Sequence, residues 1–318
     1  MKVFVIGAGR WGSFISWYLD KIGHSVTLYG REGSDKIAEL MKTRKNSLIE
    51  LSDSVRLTTS LDEIGDSDAV LISIDSQGLS SLMDTLMQKG LENKIFILCM
   101  KGIEIGTGKR LSEIVKEKTS PTNSVAVWLG PGHVQEFYHG RPNCMVIDSE
   151  SDDVKRMLVD NFSSSLIRFY YGTDLIGNEI GAAAKNVIGI AAGMLDGLGL
   201  SSLKGALMAR APREISRLVC AVGGDPVSVY GLCHLGDYEA TVFSKYSHNR
   251  AFGEALVTGE KASGLAEGYY TVKALVELSE KHSVELPICR AVYNVIYLGA
   301  SPTEQMDGLF HRSLKSEF

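Results

Sequence analysis

Along the first half of the chain the apolar positions fall in short runs: KVFVIG, SVTLYG, VRLTT, AVLISI, KIFILC, SVAVWLG, NCMVID and LIRFYY. Several are apolar on consecutive residues instead of alternating, which suits strands covered by helices on both faces, as in a parallel sheet. Between them, Leu79 to Gln88 and Ser151 to Asn161 carry apolar residues at helical spacing and supply crossovers. After LIRFYY the strand pattern stops, and from about Leu175 the chain reads as helices joined by short turns. The expected architecture is α/β: a Rossmann-type, mostly parallel doubly wound sheet over residues 1–175, then an all-α domain over 176–318.

Length and composition agree with that division. A chain of 318 residues is long enough for two cores, and 22% charged with 44% apolar residues describes an ordinary globular protein. A net charge of −5 offers no basic footprint for nucleic acid. MKVFVIG runs straight into a strand, so no signal peptide is expected, and the apolar stretch Val187 to Leu195 is cut by Asp196 before it reaches the ~20 residues that a bilayer needs. Five cysteines without a C-x-x-C pair read as reduced thiols in a cytoplasm, and no metal is expected.

Gly7, Gly9 and Gly12 follow the first strand and open a helix through Trp11, Phe14, Ile15 and Tyr18, the context in which G-x-G-x-x-G binds a dinucleotide. The first glycine permits the turn, the second lets backbone approach a pyrophosphate, and the third lets helix pack on strand. The second strand ends in Tyr29 and Gly30 where an NAD site usually offers an acid to the ribose; Arg31 follows and suits a 2′-phosphate. That favours NADPH, with NAD kept open by Glu32, and Arg31 is otherwise a solvated charge. Lys101 stands at the carboxyl end of KIFILCM, where open α/β sheets bind ligands, or simply marks a strand end. Gly130, Pro131 and Gly132 likewise end SVAVWL and open a helix with backbone N–H groups available.

The most informative stretch is EIGAAAKNVIGIAAGMLDGLGL, which sets Lys185 in a helix of small and apolar residues. Burial penalises a charged lysine, so facing a cleft it suits proton exchange; alternatively it snorkels to water. Asp237, after Gly236 in a loop, can orient a lysine or serve a turn. Ser247, His248, Asn249 and Arg250 precede AFGEALVTG as a capped first turn, which suits a phosphate or an ordinary surface helix.

Read together, GAGRWG, KGIE, GPGH, GAAAKNV and HLGD with SHNR resemble the NAD(P)-dependent glycerol-3-phosphate dehydrogenases of the bacterial type. Their pattern is G-x-G-x-W-G, K-G-I-E, G-P-S, G-x-x-K-N-V, and G-L-G-D followed by S-R-N-R. The resemblance covers essentially the whole chain. It implies reversible reduction of glycerone phosphate to sn-glycerol 3-phosphate for phospholipid synthesis, with Lys185 as proton donor, Asp237 orienting it, and Lys101 polarising the substrate oxygen between cofactor and substrate. It implies substrate contacts at Lys101, Gly130, Gly132, Asp237, Ser247, His248, Asn249 and Arg250. For the cofactor it implies Gly7, Gly9, Arg10, Trp11, Gly12, Arg31, Lys101, Val134, His248, Leu265 and Glu267; Glu267 otherwise caps the next helix. Two departures stand out: Gly132 replaces a hydroxyl residue, and His248 replaces an arginine. Alternative readings are another lysine-dependent reductase of ketopantoate or a 3-hydroxyacid, which needs a carboxylate receptor, and a non-enzymatic NADP sensor. The expected partner is a small phosphate substrate, with no nucleic acid and no membrane insertion; a homodimer is a candidate assembly.

Overall fold

The computed structural model describes residues 1–260, 264, 266–313 and 316. Its contacts divide the chain into two compact units, Met1–Lys101 with Lys109–Leu175, and Gly102–Gly108 with Ile176–Phe318.

The first unit is an eight-stranded sheet of β1 (Lys2–Ile6), β2 (Ser25–Tyr29), β3 (Arg56–Thr58), β4 (Ala69–Ile72), β5 (Ile95–Leu98), β6 (Ser124–Leu129), β7 (Asn143–Ser149) and β8 (Ile167–Tyr171). The strand order is β3-β2-β1-β4-β5-β6-β7-β8. All neighbours are parallel except β6 and β7, which pair antiparallel with Ala126 opposite Ser149. The consecutive apolar runs are explained by two-sided cover: every residue of Ala69–Ile72 is buried. The cover comes from α1 (Arg10–Lys21), α2 (Asp35–Thr43), α3 (Leu79–Met87), α4 (Leu111–Lys118), α5 (Val134–Tyr138) and α6 (Asp152–Phe162). Trp128 of β6 anchors the core, edge-on to Tyr18 and Phe169 at 5.9 and 4.8 Å between ring centroids. Order reverses around β1, with β2 on one side and β4 on the other, so the loops leaving β1 and β4 lie side by side where such sheets take ligands.

The second unit contains α7 (Leu175–Gly197), α8 (Lys204–Ala221), α9 (His248–Thr258), α10 (Glu267–Lys281), α11 (Pro287–Leu298) and α12 (Pro302–Phe310). Residues 177 to 195 of α7 are all buried, as expected of a helix apolar on every face. Fully burying Ile188 or Ile190 contributes roughly 1.5–3 kcal/mol each before ordering costs. Segment 102–108, placed by the strand pattern with the sheet, packs instead in the helical unit: Ile103 lies in that unit's core and Gly106 N donates to Glu277 Oε2 at 3.1 Å. Nothing in the short sequence KGIEIGTG carries a period that would reveal this. Among the described residues no helix is long and apolar enough to cross a membrane.

Candidate active site

At the turn after β1, Gly7 takes φ +117°, and a Cβ there would meet Ser73 O at 2.2 Å; at Gly12 it would meet Gly7 O at 1.9 Å. Gly9, the N-cap of α1, faces open space. Two glycines are thus demanded by packing, while the middle one leaves room for a ligand above a helix N-terminus that carries no acidic residue in its first turn. Arg10 begins α1 at the surface, and Trp11 lies half-buried, 5.1 Å from Phe14. Arg31 and Glu32 are both exposed beyond β2.

Lys101, following β5, donates through Nζ to Gly130 O at 2.8 Å, which ties together the loops that leave neighbouring strands. Gly130 and Gly132 lead into α5, whose first residue Val134 is buried. A Cβ on Gly132 would lie 2.2 Å from Phe137 Cε2, so the ring of Phe137 takes the place of a side chain at position 132. That ring stacks on Phe14 at 5.1 Å.

In the helical unit, Lys185 Nζ lies 2.9 Å from Asp237 Oδ2 and donates to Thr241 Oγ1 at 2.8 Å. Thr241 Oγ1 donates its own hydrogen bond to Asp237 O at 2.8 Å, which turns the hydroxyl lone pairs toward the lysine. All three residues are buried. Thr241 sits in a π-helical turn, Glu239–Phe243, an irregularity common at functional sites. A salt bridge so enclosed is strong only when complete, because removing one charge takes from the other its ionic partner in a buried setting.

Glycines on α7 bring this cluster together. A Cβ at Gly189 would lie 2.6 Å from Thr241 Cγ2, and one at Gly193 only 1.9 Å from Arg250 O. Asn249 Nδ2 then reaches Asn186 Oδ1 at 3.1 Å, and Gly268 N donates to Asn249 Oδ1 at 2.9 Å. Ser247 caps α9, accepting from Arg250 N at 3.2 Å. The Arg250 guanidinium is committed to Asp196 Oδ2 at 2.7 Å, Glu254 Oε2 at 3.1 Å and Ser244 O at 3.3 Å. Burial alone would raise the Asp196 carboxyl, but Lys204, Ser201 and Arg250 hold it below its ordinary range. His248 is the half-buried first residue of α9.

Models of two domains match the chain: NAD-dependent glycerol-3-phosphate dehydrogenase N-terminus over residues 2–155 and the C-terminus of the same family over 174–307. The chain belongs to the NAD-dependent glycerol-3-phosphate dehydrogenase family. It is 34% identical over 329 residues to glycerol-3-phosphate dehydrogenase [NAD(P)+] of Thermoanaerobacter sp., covering 100% of this chain and 99% of that one. It is 36% identical over 328 residues to that of Thermotoga sp., with the same coverage. The crystal structure of glycerol-3-phosphate dehydrogenase from Coxiella burnetii superposes with a TM-score of 0.91 at 26% identity, covering 98% of this chain and 99% of that one.

Among the residues expected from the family motifs, the structure joins Lys185 to Asp237 and Asn249 to Asn186, and pairs Arg250 with Asp196. Glu267 is the first residue of α10, next to the N-cap Ala266, which suits a helix-terminal carboxylate. Leu265 lies outside the described residues. Thr241 and His234 escaped the reading of the chain. Thr241 lies four residues after Asp237, a helical spacing that could have flagged it, and His234 stands where the family's G-L-G-D has its first glycine, a departure that could have flagged it too.

Proposed function

We propose that this family member catalyses the reversible NAD(P)H-dependent reduction of glycerone phosphate to sn-glycerol 3-phosphate, supplying glycerol backbones for phospholipid synthesis. The buried Lys185–Asp237–Thr241 cluster at the family's lysine motif carries the reading. The glycine turn fits a dinucleotide, since Gly9 leaves open the space that a pyrophosphate needs. Gly7, Gly9, Arg10, Trp11 and Gly12 would hold it, with Arg31 on a 2′-phosphate, Val134, Leu265 and Glu267 completing the set, and NADPH favoured.

Bound NAD(P)H supplies the hydride for the carbonyl carbon. Lys185 Nζ supplies the proton to the carbonyl oxygen in reduction and takes it back in oxidation. Asp237 stabilises the ammonium before transfer, and Thr241, as acceptor, fixes where the lysine's hydrogens point. Lys101 stabilises negative charge on the reacting oxygen. The first turn of α9, with Ser247, His248 and Asn249, receives the phosphate, and Arg250 holds that turn to α7 through Asp196. Binding the phosphate away from the reacting carbon converts its affinity into positioning. We also propose a cytoplasmic enzyme, supported by five cysteines of which none is disulfide-bonded, and a homodimer.

The test is turnover of glycerone phosphate with NADPH and with NADH, beside ketopantoate. Reduction of glycerone phosphate alone is expected. Ketopantoate as the better substrate, or cofactor binding without turnover of either, would overturn the reading.

A further inference from the structure

His234 is fully buried at the start of the 3-10 turn Leu235–Asp237. Its Nδ1 lies 2.8 Å from Gly181 O, and its Nε2 2.7 Å from the hydroxyl of Tyr238, which is also fully buried. A carbonyl only accepts, so Nδ1 carries the proton; Nε2 then accepts from the Tyr238 O–H. Gly181 lies one turn before Lys185 on α7, and in the helical ladder its carbonyl also receives the Lys185 N–H. The contact is close, since a Cβ on Gly181 would be 3.0 Å from His234 Cβ. The histidine's own carbonyl accepts from Asp237 N at 3.1 Å. One residue therefore grips the lysine's helix by its ring and the aspartate's turn by its backbone.

We propose, on the reading of Lys185 as proton donor, that His234 is a positioning residue, locked in one tautomer by Tyr238, that sets the Lys185–Asp237 geometry for proton transfer. The ring suits this duty because it stays neutral: burial foremost, with Lys185 also opposing a second positive charge against the pull of Asp237, lowers its pKa to about 4. A doubly protonated ring would have no acceptor for Tyr238. The two bonds hold without titrating at pH values well above 4.

The experiment compares His234→Phe, His234→Asn and Tyr238→Phe with the parent. Phenylalanine keeps the ring and loses both bonds; asparagine keeps an N–H donor where Nδ1 stands. His234→Phe should lower kcat on the order of 10- to 100-fold, as a displaced catalytic group does. KM for NADPH should be unchanged, and the pH at which kcat breaks should move. His234→Asn should recover most of kcat and the parent pH break, and Tyr238→Phe should fall between. Thermal melts and NADPH titration report folding independently. A variant that melts lower but keeps the parent kcat per folded molecule and the parent pH break would reduce His234 to packing and overturn the proposal, as would equal kcat in the Phe and Asn variants. Failure of the lysine assignment is distinguishable, because Lys185→Met would then turn over normally.

Discussion

Removing Lys185 and Asp237 singly and together separates what the pair does for folding from what it does for chemistry. Lys185→Met takes away the cation 2.9 Å from Asp237, leaving a carboxylate that is 1% exposed without the ammonium it now holds. Breaking one side of such a buried pair costs about 3–5 kcal/mol. Asp237→Asn strands the ammonium of Lys185 in the same way. Lys185→Met with Asp237→Asn removes both charges, and methionine refills the volume of the lysine stem, so most of that loss should be recovered. Turnover should follow a different pattern. If Lys185 supplies the proton, kcat falls at least ~100-fold in the single lysine variant and stays there in the double variant. Denaturant melts and NADPH oxidation with glycerone phosphate measure the two quantities on the same samples. NADPH affinity, set in the sheet unit, should hardly change in any of the three. Near-parent turnover in the double variant would remove Lys185 from the mechanism. A double variant no more stable than either single one would show that the pair is not the compensated buried ion pair argued here.

Arg31→Ala should raise KM for NADPH roughly 10- to 100-fold, the range of a lost charge-assisted contact, and leave KM for NADH nearly unchanged; equal changes would show that Arg31 does not read the 2′-phosphate. Gly132→Ser should overpack against Phe137 at a cost of about 1–3 kcal/mol, beyond the strain of a side chain at φ +158°, and Phe137→Leu in the same chain should relieve the overpacking but not the backbone strain; strictly additive melting shifts would show that the two positions do not compete for one space. Stability should also respond to pH through two buried groups of opposite sign. His234, lowered by burial from 6.5 to about 4, adds about 3 kcal/mol that is fully present above pH 6.5 and lost as pH falls through 4. Glu214, which accepts from Ile288 N and Cys289 N at the start of α11, is raised by burial from 4.5 to about 7 and adds a similar amount below pH 4.5, lost as pH rises through 7. The parent should therefore be nearly flat between pH 4.5 and 6.5 from these groups, and Glu214→Gln should gain stability with pH there; parallel profiles would refute the assignment.

The sheet was legible because its interior strands are covered twice, so short consecutive apolar runs such as Ala69 to Ile72, repeated between helical patterns, read as parallel strands. The antiparallel β7 was not, since Cys144 to Ile147 is as apolar as any parallel strand and direction leaves no mark on composition. Lys185 and Asp237 were legible as residue types in the right order, but their meeting, 52 positions apart, rests on tertiary contacts that no local period encodes. The roles of neighbouring residues were harder still. In SHNR all four residues were expected at the phosphate, and nothing local showed that Asp196, at the far end of the lysine helix, would pair with Arg250.

That pairing gives the small residues of α7 a second meaning. A run such as GAAAKNVIGIAAG reads first as a low-polarity setting for one charge, yet Ile or Leu would serve that purpose equally well. Glycine at 189 and 193 does something neither could do, because it lets the π-helical turn and the backbone of α9 approach within ångströms of where a side chain would begin. Asp196 on the same helix then fixes α9 through Arg250, and Asn186 fixes it through Asn249. The lysine, its carboxylate and the turn assigned to the phosphate are all referenced to one rigid helix. Distances between Lys185 and the first turn of α9 are thereby set by helix geometry, which varies little, instead of by loops, which vary much. A bulky residue at Gly193 should accordingly harm turnover without touching any ligand, since Arg250 O would have to retreat and take the start of α9 with it.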